Sequence, residues 1–297
     1  MTEVPHDVSV VVVTWNALPW IERCLESVSG YETIVVDHGS TDGTVELVRE
    51  RFPAARVIEQ ENKGMGGGNN AGMRVARGRY VFLLNSDAWV SDDGLARLVE
   101  FADERPEAAV IGPRLRNPDG TLQRSVRGDP TSWRLATEYF FIRKLAPHSN
   151  LLNPLYAGGF AHDETREVDW LTGAALLVRQ EAADAVGLFD EDFFMFSEET
   201  DWLYRFRQAG WKVFFFPDAE VVHVGGASHG GSMYVENLRG HLRFLAKHRG
   251  LGHAERTRRL LLSSLRLRSL VFRGERGRAY REGARFLAGG KARDLIS

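Results

Sequence analysis

The sequence has a single cysteine and no long hydrophobic run, and each absence excludes a kind of protein. Cys24 has no partner for an internal disulfide, which also rules out a site built from several cysteines and fits a reducing compartment. The longest apolar runs, such as Val8–Val13, are strand-sized, far short of the ~20 residues of a membrane-spanning helix. Glu3, His6 and Asp7 stand before that run, without the basic start and small-residue cleavage site of a secretory leader. The sequence therefore predicts a cytoplasmic protein.

Charge of neither sign is in large excess, but it is unevenly distributed. The 297 residues carry a net charge of −2. Residues 254–297 hold 12 lysines or arginines against 4 acids, whereas residues 1–253 carry −10. The acidic body, together with a basic tail that lacks a docking motif, argues against nucleic-acid binding. The hydrophobic fraction of 43% is typical of a packed globular protein.

Short apolar runs alternate with amphipathic segments through the first half of the chain. The predicted strands are Val8–Thr14, Thr33–Asp37, Arg56–Glu59, Tyr80–Asn85 and Ala109–Gly112. The predicted helices are Trp20–Val28, Gly43–Arg51, Gly68–Ala76 and Asp92–Asp103. This alternation predicts an α/β fold, a doubly wound and mostly parallel twisted sheet with helices on both faces.

The second half of the chain has a different pattern. Apolar runs resume at Trp170–Val178 and Lys212–Val224, and the chain reads as helix from Met233 onward. We assign residues 1–230 to an α/β domain and residues 231–297 to a basic helical extension.

Polar loops follow four of the predicted strands. They are Thr14–Asn16, Asp37–Thr44, Asn62–Asn70 and Asn85–Asp87. Because the carboxyl ends of parallel strands meet at one edge of a sheet, these loops are expected to line one crevice. Asp37 closes an apolar strand and could accept a hydrogen bond from a ribose or a base. Asp42 and Thr44 are better explained by an Asx-type turn and a helix N-cap.

The segment Lys63–Gly72 is rich in glycine and enters a predicted helix. Glycines allow backbone to approach a ligand closely. No Lys-Ser or Lys-Thr pair follows the last glycine, and the segment does not follow the first strand, so neither a Walker loop nor a dinucleotide fingerprint is present. A tight turn without a ligand explains it equally well, and only the neighbouring polar loops favour a ligand.

Acidic residues occupy two places where chemistry is expected. Asp87 follows a strand as a hard oxygen ligand, and a cation that carries a diphosphate needs only one or two protein carboxylates. His223 could add a ligand, although a histidine that ends a strand is more often structural. Glu198 and Glu199 begin a predicted helix after an aromatic run, where they complement the helix dipole or supply a general base. The pattern leaves both explanations open.

Taken in order, seven segments resemble the inverting family 2 glycosyltransferases with a GT-A fold. They are Val10–Asn16, Val35–Thr44, Asn62–Gly72, Leu83–Asp87, Trp170–Val178, Gly187–Asp201 and Val221–Ser228. Within the family the chain is most similar to bacterial rhamnosyltransferases of cell-wall linker or surface-polysaccharide assembly. The resemblance implies transfer of L-rhamnose from dTDP-L-rhamnose to a saccharide acceptor, including one linked to polyprenyl diphosphate. A UDP- or GDP-hexose is the alternative donor.

The resemblance also implies a role for each matching residue. Sugar-nucleotide binding falls to Thr14, Asn16, Asp37, Ser40, Asn62, Gly66, Asn70, Asn85 and Ser86. The acceptor side would be lined by Trp170, Thr172, Gly173 and Asp201. Asp87 and His223 would hold Mg²⁺ or Mn²⁺, and Glu199 would be the catalytic base.

Three positions depart from the family pattern. His38 replaces the usual Asn, and Asn85 replaces the first Asp of the metal motif. Glu199 stands where the family usually has Asp, which leaves the base open between Glu198 and Glu199.

Two other classes of protein fit the sequence less well. A sugar-1-phosphate nucleotidyltransferase would need a basic glycine-rich loop after the first strand, yet Thr14–Pro19 contains no lysine or arginine. A non-catalytic sugar-nucleotide-binding module would be expected to lack a base or a metal ligand, and none is missing.

The segment Arg256–Arg273 places leucines among arginines, as in a basic amphipathic helix. Such a helix fits an acceptor held at an anionic membrane surface, which gives a peripheral membrane contact through residues 254–297. Packing on the catalytic body or a homodimer contact explains it equally well.

Overall fold

The computed structural model describes residues 7–225 and 231–296. They form two compact units, the first from residues 7–126, 161–194 and 202–225, and the second from residues 127–160, 195–201 and 231–296. Glu3, His6 and the end of the Val221–Ser228 segment lie outside the described residues. The boundary proposed at residue 230 stays a prediction, although the C-terminal helices share a unit with two earlier segments. Among the described helices, none combines the length and apolar character needed to cross a membrane.

Twelve strands occur in the described residues. They are β1 (Val8–Thr14), β2 (Glu32–Asp37), β3 (Arg56–Glu59), β4 (Tyr80–Asn85), β5 (Ala88–Val90), β6 (Ala108–Arg116), β7 (Leu122–Gln123), β8 (Val126–Arg127), β9 (Arg166–Glu167), β10 (Trp170–Leu171), β11 (Ala175–Arg179) and β12 (Lys212–His223). All five strands predicted for the first half of the chain are therefore present.

Eleven α-helices occur in the same residues. They are α1 (Ile21–Glu26), α2 (Thr44–Arg51), α3 (Gly64–Met73), α4 (Gly94–Asp103), α5 (Ser132–Tyr139), α6 (Gln180–Val186), α7 (Glu198–Gln208), α8 (Gly231–Arg249), α9 (Leu251–Val271), α10 (Gly274–Ala288) and α11 (Ala292–Ile296). Short 3₁₀ helices cover Ile142–Lys144 and Pro154–Gly159.

The first unit is built on one mixed sheet with strand order β3-β2-β1-β4-β11-β6-β12-β5. The first four strands run parallel, β11 is antiparallel to both of its neighbours, and β12 is parallel to β6. Thr14 pairs with Asp37, and Val13 pairs with Asn85. The strand ends are thus in register, so the loops after β1, β2 and β4 leave the same edge, as the sequence predicts.

The core of the first unit lies on both faces of β1. All seven residues of this strand are buried. Val10 and Val12 belong to the hydrophobic cluster that also holds Ile21 of α1 and Leu98 of α4. Burial on both faces explains why the strand reads as an uninterrupted apolar run.

The glycine-rich segment is not the loop that the sequence predicts, because it is helical from Gly64. α3 lies directly against the sheet: a Cβ atom on Gly68 would lie 2.7 Å from Val13 Cγ1, and one on Gly72 would lie 2.3 Å from Val11 Cγ1. The predicted helix start at Gly68 is therefore wrong by four residues. Intrinsic propensity disfavours glycine in a helix, but close packing on β1 requires it here.

Two further differences from the sequence prediction concern strands. The run Trp170–Val178 is not one strand, because the chain breaks between β10 and β11 at Thr172. The Thr172 N–H, directly after β10, donates to the Ser125 carbonyl at 2.9 Å. The short strand β5 was missed, since three apolar residues give too little periodicity to identify a strand.

We expect Gly72→Ala to destabilise the protein by about 1–3 kcal/mol, because the added methyl would force α3 away from Val11. The matched control is Gly252→Ala on α9, where nothing lies within 4 Å of the new Cβ. That change should raise stability by up to about 1 kcal/mol through helix propensity. Urea unfolding of both variants measures the difference, and equal effects would contradict the packing role.

Candidate functional site

The loops after β1 and β2 are held together by Asp37. Its Oδ2 accepts hydrogen bonds from Gly39 N at 2.9 Å and Ser40 N at 2.8 Å, and its Oδ1 accepts from the Ser40 hydroxyl. That hydroxyl accepts from Asn16 N at 2.8 Å, and Asn16 Oδ1 accepts from Thr41 N at 2.8 Å. The structure therefore brings Asn16, Asp37 and Ser40 together, and it gives Asp37 a loop-bracing role in addition to any ligand contact.

The floor beside this loop holds Thr14 and His38. The Thr14 hydroxyl is buried and makes no hydrogen bond within the described residues, while its carbonyl accepts from His38 N at 2.9 Å. Burial lowers the pKa of His38, and the nearby charge of Asp37 raises it by less. His38 is consequently neutral at pH 7, and its Nε2 lies 3.1 Å from Gln60 Nε2.

The predicted Asx-type turn is present in the same loop, but the N-cap of α2 is Gly43, without a side-chain cap, and not Asp42 or Thr44. Asp42 Oδ1 accepts from Thr44 N at 3.0 Å and from the Thr44 hydroxyl at 2.6 Å, and its Oδ2 accepts from Leu18 N at 3.0 Å. These contacts confirm that Asp42 and Thr44 shape the start of α2.

Asn70 is buried on α3, where its side-chain amide is fully engaged. Its Oδ1 accepts from Phe189 N at 2.9 Å, and its Nδ2 donates to Phe189 O at 3.0 Å and to Glu191 Oε1 at 2.9 Å. Asn62 Oδ1 caps Gly64 N at 2.9 Å, and Gly66 is buried within α3. Both asparagines thus have structural contacts, and their sugar-nucleotide contacts stay predictions.

Asp87 and His223 meet at the end of β4. Asp87 Oδ1 lies 3.3 Å from His223 Nε2, and Asp87 Oδ2 accepts from Gly225 N at 3.1 Å. Asn85 Nδ2 also lies 3.3 Å from His223 Nε2. Burial raises the pKa of Asp87, but the His223 and Gly225 hydrogen bonds outweigh it and lower the pKa overall. The carboxylate is therefore ionised at neutral pH.

Gln123 orients the His223 ring, a contact that sequence reasoning missed. His223 Nδ1 lies 2.7 Å from Gln123 Oε1, which can only accept, so Nδ1 carries the proton. Gln123 Nε2 in turn donates to the His223 carbonyl at 3.1 Å. This leaves Nε2 turned toward Asp87, and a metal-ligating histidine is held in the same way by a partner on its other ring nitrogen.

The side chains of Asp87 and His223 supply only part of the ligands that a divalent cation requires. Within residues 7–225 and 231–296, no three His, Cys, Asp or Glu side chains cluster as a metal site. One carboxylate and one imidazole suit an ion whose other ligands are phosphate and water oxygens. Ser86 is half-buried in the turn between Asn85 and Asp87.

The predicted acceptor-side residues of the first unit lie around β10. Trp170 is buried, and the Thr172 hydroxyl donates to Ser125 O at 3.3 Å. His162 Nε2 accepts from Ser125 N at 3.2 Å and from Val126 N at 3.1 Å. His162 thereby fixes the strand edge that Thr172 contacts, and no sequence pattern marked it. Gly173 is half-buried beside these residues in the chain.

The first turn of α7 belongs to the second unit and carries three acids, Glu198, Glu199 and Asp201. Glu198 is buried, and its Oε2 makes no hydrogen bond within the described residues. Burial raises the pKa of Glu198 well above its ordinary value, and the neighbouring charge of Glu199 raises it further. Glu199 is only half-buried. Burial and the neighbouring charge therefore favour the protonated form of Glu198.

Asp201 is fully buried, yet cations from α8 compensate its charge. Its Oδ1 lies 2.8 Å from Lys247 Nζ and 2.7 Å from His248 Nε2. Sequence reasoning missed both partners, because nothing in the local pattern marks residues so far along the chain. The structure thus places Asp201 in an ion-pair network, and its acceptor-side role stays a prediction.

The backbone before α7 is strained. Phe196 and Ser197 have φ angles of 65° and 71°, which side chains other than glycine rarely adopt. Gly240 of α8 makes room for this turn, since a Cβ there would lie 2.6 Å from Phe196 O. Strained turns of this kind concentrate at functional sites, which supports a functional role for the start of α7.

The raised pKa of Glu198 predicts a pH-dependent stability difference. Above about pH 4.5 the unfolded chain releases the Glu198 proton that the folded chain keeps, so stability falls as the pH rises toward the folded-state pKa. Relative to Glu198→Gln, the wild type should lose up to about 1.4 kcal/mol of unfolding free energy per pH unit in that window. Urea unfolding at pH 5, 6, 7 and 8 measures the difference. The exposed Glu104→Gln is the control, and a pH-independent difference for Glu198→Gln would contradict the assignment.

Comparison with solved structures shows the fold. The chain is similar to S. aureus TarS 1-349 in complex with UDP-GlcNAc, with a TM-score of 0.56 and 18% identity over 98% of this chain and 82% of that one. It is also similar to mannosyltransferase PcManGT from Pyrobaculum calidifontis in complex with GDP-Man and Mn²⁺, with a TM-score of 0.57 and 18% identity over 97% of this chain and 82% of that one. These likenesses confirm the predicted GT-A type fold.

Comparison of sequences shows the family. A relative from Mycobacterium tuberculosis, N-acetylglucosaminyl-diphospho-decaprenol L-rhamnosyltransferase, is 31% identical over 232 residues, which cover 72% of this chain and 75% of the relative. The profile of Glycosyl transferase family 2 matches residues 9–160, about half of the chain. The chain is therefore a glycosyltransferase that belongs to family 2.

Proposed function

We propose that this glycosyltransferase moves L-rhamnose from dTDP-L-rhamnose to a saccharide linked to polyprenyl diphosphate, with inversion at the anomeric carbon. The observation that carries the chemistry is the contact of Asp87 with a His223 ring whose other nitrogen is bound to Gln123. The choice of sugar and acceptor is supported by the likeness to the mycobacterial rhamnosyltransferase. The product belongs to cell-wall or surface-polysaccharide assembly.

Asp87 and His223 are the residues that would hold Mg²⁺ or Mn²⁺. The Asp87 carboxylate fits either ion, provided that the diphosphate supplies further oxygens, whereas the His223 imidazole favours Mn²⁺ over the oxygen-preferring Mg²⁺. When bound, the cation would neutralise the charge that develops on the departing nucleoside diphosphate. Asn85 lies beside both ligands and would contact the same diphosphate region.

Glu199 is the proposed catalytic base. It takes the proton of the acceptor hydroxyl as that oxygen forms a bond to the anomeric carbon and the bond from that carbon to the diphosphate breaks. Glu198 stays protonated, because its burial disfavours a second charge beside Glu199. No covalent sugar intermediate is needed, since one displacement inverts the centre.

On the donor side, Asn16, Asp37 and Ser40 form the edge that would receive the base and ribose. Thr14 adds a buried hydroxyl at the same edge. Residues of this kind bind several nucleotides, so a UDP- or GDP-hexose is the alternative donor.

Loss of the Gln123 contact should weaken metal binding. We expect Gln123→Met to lower the affinity for Mn²⁺ in the presence of dTDP by about tenfold or more, because the His223 ring loses the partner that fixes its orientation. Electron paramagnetic resonance of free Mn²⁺ measures this affinity. The control is Gln180→Met on α6, and equal affinity in both variants would contradict the orienting role.

The catalytic assignment is tested with purified protein and a panel of dTDP-rhamnose, UDP-glucose, UDP-galactose, UDP-GlcNAc and GDP-mannose. We expect dTDP-rhamnose alone to be bound and hydrolysed. Glu199→Gln should bind it normally but react about 10²–10⁴-fold more slowly. Glu198→Gln should keep most activity, and Asp87→Ala should lose metal-dependent binding.

Other outcomes of that panel would change different parts of the proposal. Preference for a UDP- or GDP-sugar would discard the rhamnosyl donor and keep the mechanism. A greater loss in Glu198→Gln than in Glu199→Gln would move the base to Glu198. Absence of metal-dependent binding for every donor would overturn the roles of Asp87 and His223.

A further inference from the structure

α9 is a helix with two different faces, and its arginines do not all lie on the same one. The buried face carries Leu261, Ser264, Leu265 and Arg268. The Arg268 guanidinium donates from Nε to the Tyr139 carbonyl at 2.6 Å and lies 3.9 Å above the Phe141 ring. The predicted amphipathic basic helix is therefore present, and its Arg268 holds α9 against the end of α5 instead of facing solvent.

The opposite face of α9 is apolar toward its C-terminus. Leu267, Leu270 and Val271 are all exposed, and the side chain of Leu270 is the most exposed large hydrophobic group in the described residues, at 82%. Their i, i+3 and i+4 spacing puts them on one side of the helix. Singly exposed apolar residues are ordinary, but a cluster on one side marks an interaction surface.

A second exposed apolar segment lies next to this end of α9 within the second unit. The Ser264 hydroxyl donates to the Tyr139 carbonyl at 2.5 Å, and the Phe141 and Phe272 rings lie 5.7 Å apart. These contacts fix the chain that leaves α5 beside the end of α9. Leu145 follows four residues after Phe141 and is 81% exposed.

The charges around these apolar residues are mainly positive. Lys144, Arg266, Arg273 and Arg276 are exposed, and in the described part of the chain none has a carboxylate within 4.0 Å. Arg143 forms an ion pair with Glu138. Between Arg266 and Arg276 the exposed acid is Glu275, which pairs with Arg278. The cations outnumber the acids, so the surface is complementary to an anionic partner.

We propose that this surface docks on an anionic lipid bilayer. It is called the docking face and consists of Leu145, Leu267, Leu270 and Val271 with Lys144, Arg266, Arg273 and Arg276. Exposed leucines gain free energy by entering the boundary between headgroups and acyl chains, while the cations contact acidic headgroups. An apolar protein groove would satisfy the leucines but not the unpaired cations. The proposal goes beyond the transfer reaction and does not depend on the donor or the base.

Vesicle sedimentation with the full chain tests the docking face. The probes are vesicles of phosphatidylcholine alone and of phosphatidylcholine with phosphatidylglycerol. We expect binding to the anionic vesicles only. Leu267→Ser/Leu270→Ser should weaken it by about tenfold or more, and Arg266→Gln/Arg273→Gln by about fivefold for each charge.

The matched control is Leu251→Ser, which removes an exposed leucine at the other end of the same helix. Arg268 is left unchanged, because its replacement would disturb the packing of α9. Circular dichroism and thermal unfolding establish that each variant is folded, and donor hydrolysis in solution should be the same in all of them. That readout separates failure of the docking face from failure of the proposed reaction.

Two results would overturn the proposal. Anionic vesicles bound equally by the wild type and both double variants would remove the docking face. Light scattering that shows a wild-type dimer, dissociated by Leu267→Ser/Leu270→Ser without loss of vesicle binding, would assign the face to a second copy of the chain.

Discussion

The parallel pairing of β1 with both β2 and β4 is the constraint on which the first unit depends. β1 is buried on both faces and hydrogen-bonded along both edges, so its register fixes where three loops emerge. α3 then lies on β1 at a separation that only glycine permits at Gly68 and Gly72. Asp37 at the end of β2 and Asn85 at the end of β4 are consequently positioned by a buried strand, β1, that carries no charged side chain.

The buried carboxyl groups of Glu198 and Asp201 lie one turn apart on α7 and have opposite electrostatic surroundings. Asp201 is matched by Lys247 and His248, so it can stay ionised at no great cost. At Glu198, burial and then the nearby charge of Glu199 disfavour the ionised form, and protonation relieves both. The same turn of helix therefore places one carboxyl group beside cations and another beside a second acid, which a sequence of adjacent acids does not reveal.

The sequence predicts correctly those elements whose conformation depends on neighbouring residues in the chain. The predicted bounds of β1, β3 and β4 match the structure to the residue. β1 and β4 are buried and read as continuous apolar runs, whereas β3 is only partly buried and is recognised by its two central apolar residues. The helical state of Gly64–Gly67 is not predicted, since it depends on the distance to a strand some fifty residues earlier. The site was found in the same uneven way: Asp87 and His223 were marked by position, whereas Gln123 was not, because its function lies entirely in a contact across the fold.

The roles of the arginines of α9 also depend on contacts that the local sequence does not show. Arg266 and Arg268 are two residues apart and identical in chemistry, yet one is exposed and the other is buried under aromatic rings and backbone carbonyls. A guanidinium that satisfies carbonyls in the interior stabilises helix packing and is unavailable to a phosphate. Net charge counted along residues 254–297 therefore overstates the charge that a lipid surface would meet. The attraction is set by the exposed cations alone, and it requires the neighbouring leucines to place them at the interface.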